Sequence, residues 1–257
     1  MKKIVPIFLL GLLSACSHLK IQVPQAQVLS PELMAKNNWE IGVRSQASHI
    51  HTASEDASAR PPTFDNTDTS SALIIPDFIY APLDGLQFGG GISNDMGVSG
   101  NLAYQFLGSP WSQRKIGWSS ALRLDVYAAS ASKDGDQNGI FGAGGYNWKG
   151  EIKVVSLGAG LSVGYRFHES FMSFLGFSRT NNTVKTNIDQ DPSDNGTDPG
   201  GSYSQNLSGS SNAIGLGLMI GSGSFRFTPV VHWLEYELGD VRESETMVNL
   251  GIAFNGL

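Results

Sequence analysis

The stretch Glu151–Phe167, EIKVVSLGAGLSVGYRF, decides the fold. Val155, Leu157, Ala159, Leu161, Val163, Tyr165 and Phe167 share one parity, and Ser156, Gly158, Gly160, Ser162, Gly164 and Arg166 share the other. Successive side chains on a strand point to opposite faces, so one face is apolar and the other small and mostly polar. A water-soluble sheet alternates too, but its wet face usually carries Lys, Glu and Thr, which suit a strand better than Gly. Gly and Ser instead suit the crowded lumen of a small barrel. The run also exceeds the about nine to eleven residues that a tilted strand needs to cross a bilayer. It reads as a membrane-spanning β-strand with its apolar face toward lipid.

The bulk properties agree. Charged residues make up 16% of the 257, below the roughly 25% of soluble domains, and glycine is abundant at 31 residues. No apolar run approaches the about 18 residues of a transmembrane helix, and mean hydropathy is −0.10. A chain of this kind lives in lipid only through strands, because only helices and closed barrels satisfy the backbone there. The net charge of −6 sets nucleic acid aside as a partner. Cys16 is the single cysteine, which excludes an intrachain disulfide.

Residues 1–15 read as an export signal: Lys2 and Lys3 start it, and Ile4–Leu13 supplies an apolar stretch too short to span a membrane. Residues 16–38 read as a polar tether leading to the first strand. From Trp39 to the end, ten alternating segments are expected as strands, with eight or twelve as the alternatives, and the domain is assigned to residues 39–257. Residues 49–71, 129–150 and 179–210 read as long polar loops. His168-Glu169 and Gly221–Ser224 read as short turns. The expected architecture is an all-β, antiparallel transmembrane barrel.

Two resemblances sharpen this. Leu13-Ser14-Ala15-Cys16 resembles the lipobox of bacterial lipoproteins, which implies acylation of Cys16. Ser17 follows in place of the Asp that marks inner-membrane retention in enteric bacteria. Trp39–Leu257, with its alternation of long loops and short turns, resembles bacterial outer-membrane β-barrel proteins. That likeness implies residence in the outer membrane, contact with its lipid and insertion by the barrel-assembly machinery. The chain departs from the class at its end, where Asn255-Gly256-Leu257 follows Phe254 in place of a terminal aromatic residue. The implied function is a non-enzymatic envelope protein, either structural or a narrow pore. An outer-membrane lipid hydrolase and a soluble periplasmic β-sandwich lipoprotein are the alternatives.

Candidate chemistry is sparse. Glu40, Arg44, Arg123, Asp125, Arg166, Arg226 and His232 fall on the inward parity, as a charged network filling the lumen or as a pore lining. Asp134, Asp136 and Asn138 have calcium-loop spacing with Gly139 behind them, but Gly145 stands where an EF-hand needs a bidentate Glu. No other cofactor is indicated. His49 and His51 share a strand face near Ser48 and Glu55, which suits a metal pair or a hydrolytic site. His18 and His168 read as structural. The assigned parity predicts that Leu161→Lys costs about 2–4 kcal/mol if the residue faces the bilayer midplane, measured by folding into lipid vesicles; a neutral result rejects the assigned faces.

Overall fold

The computed structural model describes residues 18–54, 70–137, 146–192, 200–222 and 224–256. Residues 1–17, including Cys16 and the stretch read as an export signal, lie outside the described residues. Among the described residues eleven strands run in order: β1 (His18–Pro24), β2 (Trp39–Ser54), β3 (Ser70–Leu83), β4 (Leu86–Ile92), β5 (Val98–Leu107), β6 (Gly117–Gln137), β7 (Tyr146–His168), β8 (Phe171–Gln190), β9 (Gly201–Ser222), β10 (Phe225–Leu238) and β11 (Val241–Gly256). Each of β2 to β11 pairs antiparallel with the next, and β2 pairs back onto β11, which closes a ring of ten. None of the described residues forms a helix long and apolar enough to cross a membrane.

The alternation read from Glu151–Phe167 is the rule around the ring. Leu157, Leu161, Leu124, Leu216 and Leu250 point outward and are exposed, as lipid-facing side chains are. Ser156, Ser162 and Arg166 point inward and are buried. Near the short-turn end the outer wall carries directly opposed aromatic pairs. Trp118 meets Tyr165 edge-on at 5.2 Å, and Phe225 meets Phe254 at 5.5 Å. Aromatic rings at this level form the interfacial girdle of a membrane barrel.

Two expectations are corrected. The first concerns the long loops, which are shorter than the polarity suggests. β2 continues to Ser54, β6 to Gln137 and β8 to Gln190, while β7 starts at Tyr146 and β9 at Gly201. Beyond the apolar belt the outward face turns polar at Lys149, Lys153 and Lys185, so the apolar half of the alternation stops. The backbone ladder does not stop, because the inward face still supplies Ile152, Val154, Val184 and Ile188 to a buried cluster.

The second concerns residues 16–38. From His18 on, this segment is no tether outside the barrel. His18 pairs with Ser54 and Pro24 with Ser48, so the described chain starts at the long-connection end. Leu19, Ile21 and Val23 pack in the mouth against Tyr127, Ile152 and Val184 of the wall. The chain then descends the lumen: Ala26, Val28, Leu33 and Met34 are buried, and Asn37 reaches Ala81 at the short-turn end before β2 begins. The lumen is filled by the protein's own N-terminal segment.

That filling explains Gly176 of β8 and Gly215 of β9. A Cβ added at Gly215 would lie 2.8 Å from Val28 Cβ and 3.0 Å from His232 Cδ2, and one added at Gly176 would lie 2.5 Å from Val28 Cγ1. Gly215→Leu is therefore expected to expel Val28 and expose residues 25–36. Hydrogen exchange should show lost protection in that segment with the wall strands unchanged, and unchanged protection would contradict the packing.

Candidate functional site

The lumen is the candidate site, and it is built in two layers. In the lower layer the threaded segment runs extended, without a neighbouring strand, so its backbone N–H groups need other partners. Inward side chains supply them. Ser211 Oγ accepts from Ala26 N at 2.7 Å, His232 Nε2 from Val28 N at 2.9 Å, and Gln105 Oε1 from Leu33 N at 3.0 Å. Leu33 O accepts from Trp111 N at 2.7 Å, and Asp84 Oδ1 from Lys36 N at 2.8 Å. His232 thus serves as a backbone acceptor inside the barrel.

Charges in this layer are paired. Arg166 grips Glu32 of the threaded segment with two nitrogens, its Nε at 2.9 Å from Oε1, and both residues are buried. The guanidinium also stacks over Trp111, 4.7 Å from the ring centre, and donates to Glu169 O at 2.6 Å. Arg226 of β10 donates to Glu40 of β2 across the intervening β11. With its amide oriented by these neighbours, Asn255 donates to Glu40 at 2.6 Å and accepts from Trp111 Nε1 at 3.1 Å. Arg123 Nε lies 2.6 Å from Asp125, and Arg44 Nε lies 3.3 Å from Asp77.

The inward parity assigned from the sequence holds two acids, Glu40 and Asp125, against four arginines. Glu32 and Asp77 are the two acids it lacks. Glu32 sits in the segment read as a tether. Asp77 shares its parity with Ile75 and Ile79, so the inward face of β3 reads as apolar. Parity alone contains the signal for Asp77; nothing local marks Glu32.

In the upper layer β2 parts from β11 while staying paired with β3 as far as His49. Its ladder with β11 covers only Trp39–Arg44 against Gly251–Gly256. Ser45 Oγ then caps the seam by accepting from Leu250 N at 2.8 Å. Above it β1 takes the edge of β2 that β11 would occupy. His49 bridges the opened seam: its ring stacks on Tyr236 at 4.2 Å, with Nε2 at 3.3 Å from Glu245 and Nδ1 at 3.8 Å from Glu243. The two carboxylates face different ring nitrogens, so they do not converge on one point as metal ligands do. His51 reaches across the mouth to Thr186 of β8, at 3.4 Å.

Other sequence candidates stay apart. Asp134 and Asp136 lie in β6, opposite Lys149 and Asn147. That ladder is extended, whereas a calcium loop wraps its ligands around one point. Asn138 and Glu55 lie outside the described residues. Among the described residues no three His, Cys, Asp or Glu side chains form a metal group. Three cavities among the described residues of the lumen are small, about 30, 80 and 30 Å³. Each has room for a few waters, since a cavity needs roughly 10–15 Å³ by this measure to hold one.

A ring of ten antiparallel strands with an apolar outer wall, an aromatic rim and a filled polar lumen is a β-barrel of the outer-membrane type. Compared with known proteins, the chain matches no family model and no curated protein. Among solved structures it is similar to Ail, the attachment invasion locus protein of Yersinia pestis, solved with the heparin analogue sucrose octasulfate. The two share 14% identity, covering 86% of this chain and 97% of that one, with a TM-score of 0.32. It is also similar to the monoaromatic hydrocarbon channel CymD, with 10% identity over 86% and 88% of the two chains and a TM-score of 0.26. A third similarity is to OccD1 (OprD), with 8% identity over 91% and 98% and a TM-score of 0.15.

Breaking one partner of a buried ion pair leaves an uncompensated charge and costs about 3–5 kcal/mol. Glu32→Gln is therefore expected to destabilise the barrel by about that much in reversible urea unfolding in lipid vesicles. Adding Arg166→Met should restore a large part of the loss. A loss under about 1 kcal/mol in the single variant would mean that the pair does not hold the segment.

Proposed function

We propose that this protein resides in the bacterial outer membrane as a barrel closed by its own N-terminal segment, with an envelope role that requires no catalysis. The observation that carries the reading is the passage of residues 18–38 through the lumen, with four arginine–carboxylate pairs around it. A barrel of about eight strands is just filled by its own side chains, and open channels need many more. At ten strands there is extra room, and the threaded segment takes it.

The lipid-hydrolase alternative finds no support in the geometry around His49. Its ring contacts are Tyr236 and two carboxylates, and Ser48, its neighbour in sequence, points to the other face of β2. The long connections face the cell exterior in this reading and the short turns the periplasm. Cys16 is acylated in it, on the strength of the sequence Leu13-Ser14-Ala15-Cys16.

Conductance tests the closed lumen. Wild-type protein in a planar bilayer should show little steady current. A variant carrying Ile21→Asp and Val23→Asp should open channels, because buried charge would drive β1 from the mouth. Reproducible wild-type channels would favour the narrow pore. Acylation is tested separately: wild-type protein should incorporate labelled fatty acid and Cys16→Ala should not, and an unlabelled wild type ends that part of the reading.

A further inference from the structure

The outer wall carries a second feature that the lumen does not use. On β7 and β8 the register sets Lys153 directly opposite Lys185, both exposed. Like charges directly opposite on one face are destabilising, and the fold does not require them. Lys153 has Glu151 on its own strand at 2.8 Å. Lys185 has no carboxylate partner among the described residues. Further down β8, Arg179 is exposed and donates to neutral groups, Ser210 Oγ at 3.3 Å and Asn181 Oδ1 at 3.5 Å.

What lies between and beside these cations is as specific. The outward residues separating Arg179 from Lys185 are Asn181 and Thr183, and their neighbours on β9 are Ser210 and Ser208. Amides and hydroxyls fill the strip, with no acid among them, in a chain whose net charge is −6. Glu151 and Asp189 lie further toward the mouth, Asp189 opposite Lys149. On the other flank, Thr183 faces Val155 and Asn181 faces Leu157 across the ladder, and both apolar side chains are more than half exposed. Cations and sugar-binding groups therefore border directly on the lipid-facing wall.

We propose that this β7–β9 face binds a phosphorylated glycolipid of the surrounding leaflet. Its phosphate sits between Lys153 and Lys185, where an anion turns the opposed pair from repulsive to attractive. A second phosphate meets Arg179, the saccharide hydroxyls meet Asn181, Thr183 and Ser208, and the acyl chains run down Leu157 and Phe177. A glycolipid fits better than a soluble polyanion because the polar strip and the apolar wall are continuous. The proposal rests on the reading that the belt faces lipid and the long connections face the exterior.

Native mass spectrometry of the full chain tests the site. The protein would be released from phosphatidylcholine nanodiscs doped with an acylated disaccharide bisphosphate, or with the same lipid after dephosphorylation. Wild type should retain the phosphorylated form, and the Lys153→Gln/Lys185→Gln variant should retain it roughly tenfold less. The dephosphorylated lipid should bind both proteins weakly and alike. Unchanged heat-modifiable migration would show that the variant still folds. Equal retention by wild type and variant, or equal binding of the two lipids, overturns the proposal. So does displacement by an equimolar amount of the deacylated bisphosphate saccharide, which would point to a soluble polyanion. Orientation is read independently by labelling Asp240→Cys, in the exposed β10–β11 turn away from this face, on intact cells with a membrane-impermeant maleimide. Failure to label there rejects the orientation and leaves the retention result to judge the site.

Discussion

The structure depends on one constraint: an extended segment inside a barrel must have its backbone polar groups satisfied by side chains. A strand in the wall finds partners in its neighbours. Residues 25–38 do not have that ladder, and an unpaired buried N–H costs free energy comparable to a lost hydrogen bond. The wall meets the need with Ser211, His232, Gln105 and Gln87, each on a different strand. The inward polar positions of β4, β5, β9 and β10 are thereby tied to one path through the lumen. The glycines at 176 and 215 are tied to it as well, since they leave the space that Val28 enters.

Charge follows the same logic. An isolated ionised group in this interior would be too costly, so Arg44, Arg123, Arg166 and Arg226 each stand beside a carboxylate. Three of these pairs join wall residues to one another, and the fourth joins the wall to the threaded segment through Glu32. Trp111 lies beneath the fourth pair and reaches Asn255, which in turn holds Glu40. The bottom of the barrel is thus one connected polar network that includes the segment, the β5–β6 connection and the C-terminal strand.

The mouth is held differently. There β2 serves two partners in turn, β11 below and β1 above. The consequence is a seam whose upper part depends on side chains: Ser45 on Leu250, then His49 against Tyr236 and the two glutamates. Such contacts open locally at lower cost than a continuous ladder, so the upper seam is where motion of the segment would begin. Polar strand edges above the apolar belt can face water, which is why the opening sits there and the complete ladder lies within the lipid zone.

The barrel was legible in the sequence because a membrane wall forces alternation on every strand that crosses it. Leu157 to Phe167 has to present one apolar parity whatever its neighbours are, and the same holds for β6 and β9. The inward charges were legible from the same parity, and so were the Arg123–Asp125 and Glu40–Arg226 contacts, which follow from spacing on one strand and from ring closure. The extent of the strands beyond the belt was not, because water on the outer face removes half of the periodic signal at Lys153 and Lys185. Nor was the occupant of the lumen. Residues 18–38 have the composition of a tether, and their role comes from contacts made to Ser211, His232 and Arg166, more than a hundred residues away. Local sequence records the solvent on each side of a strand; only the closed ring determines which chain fills its interior.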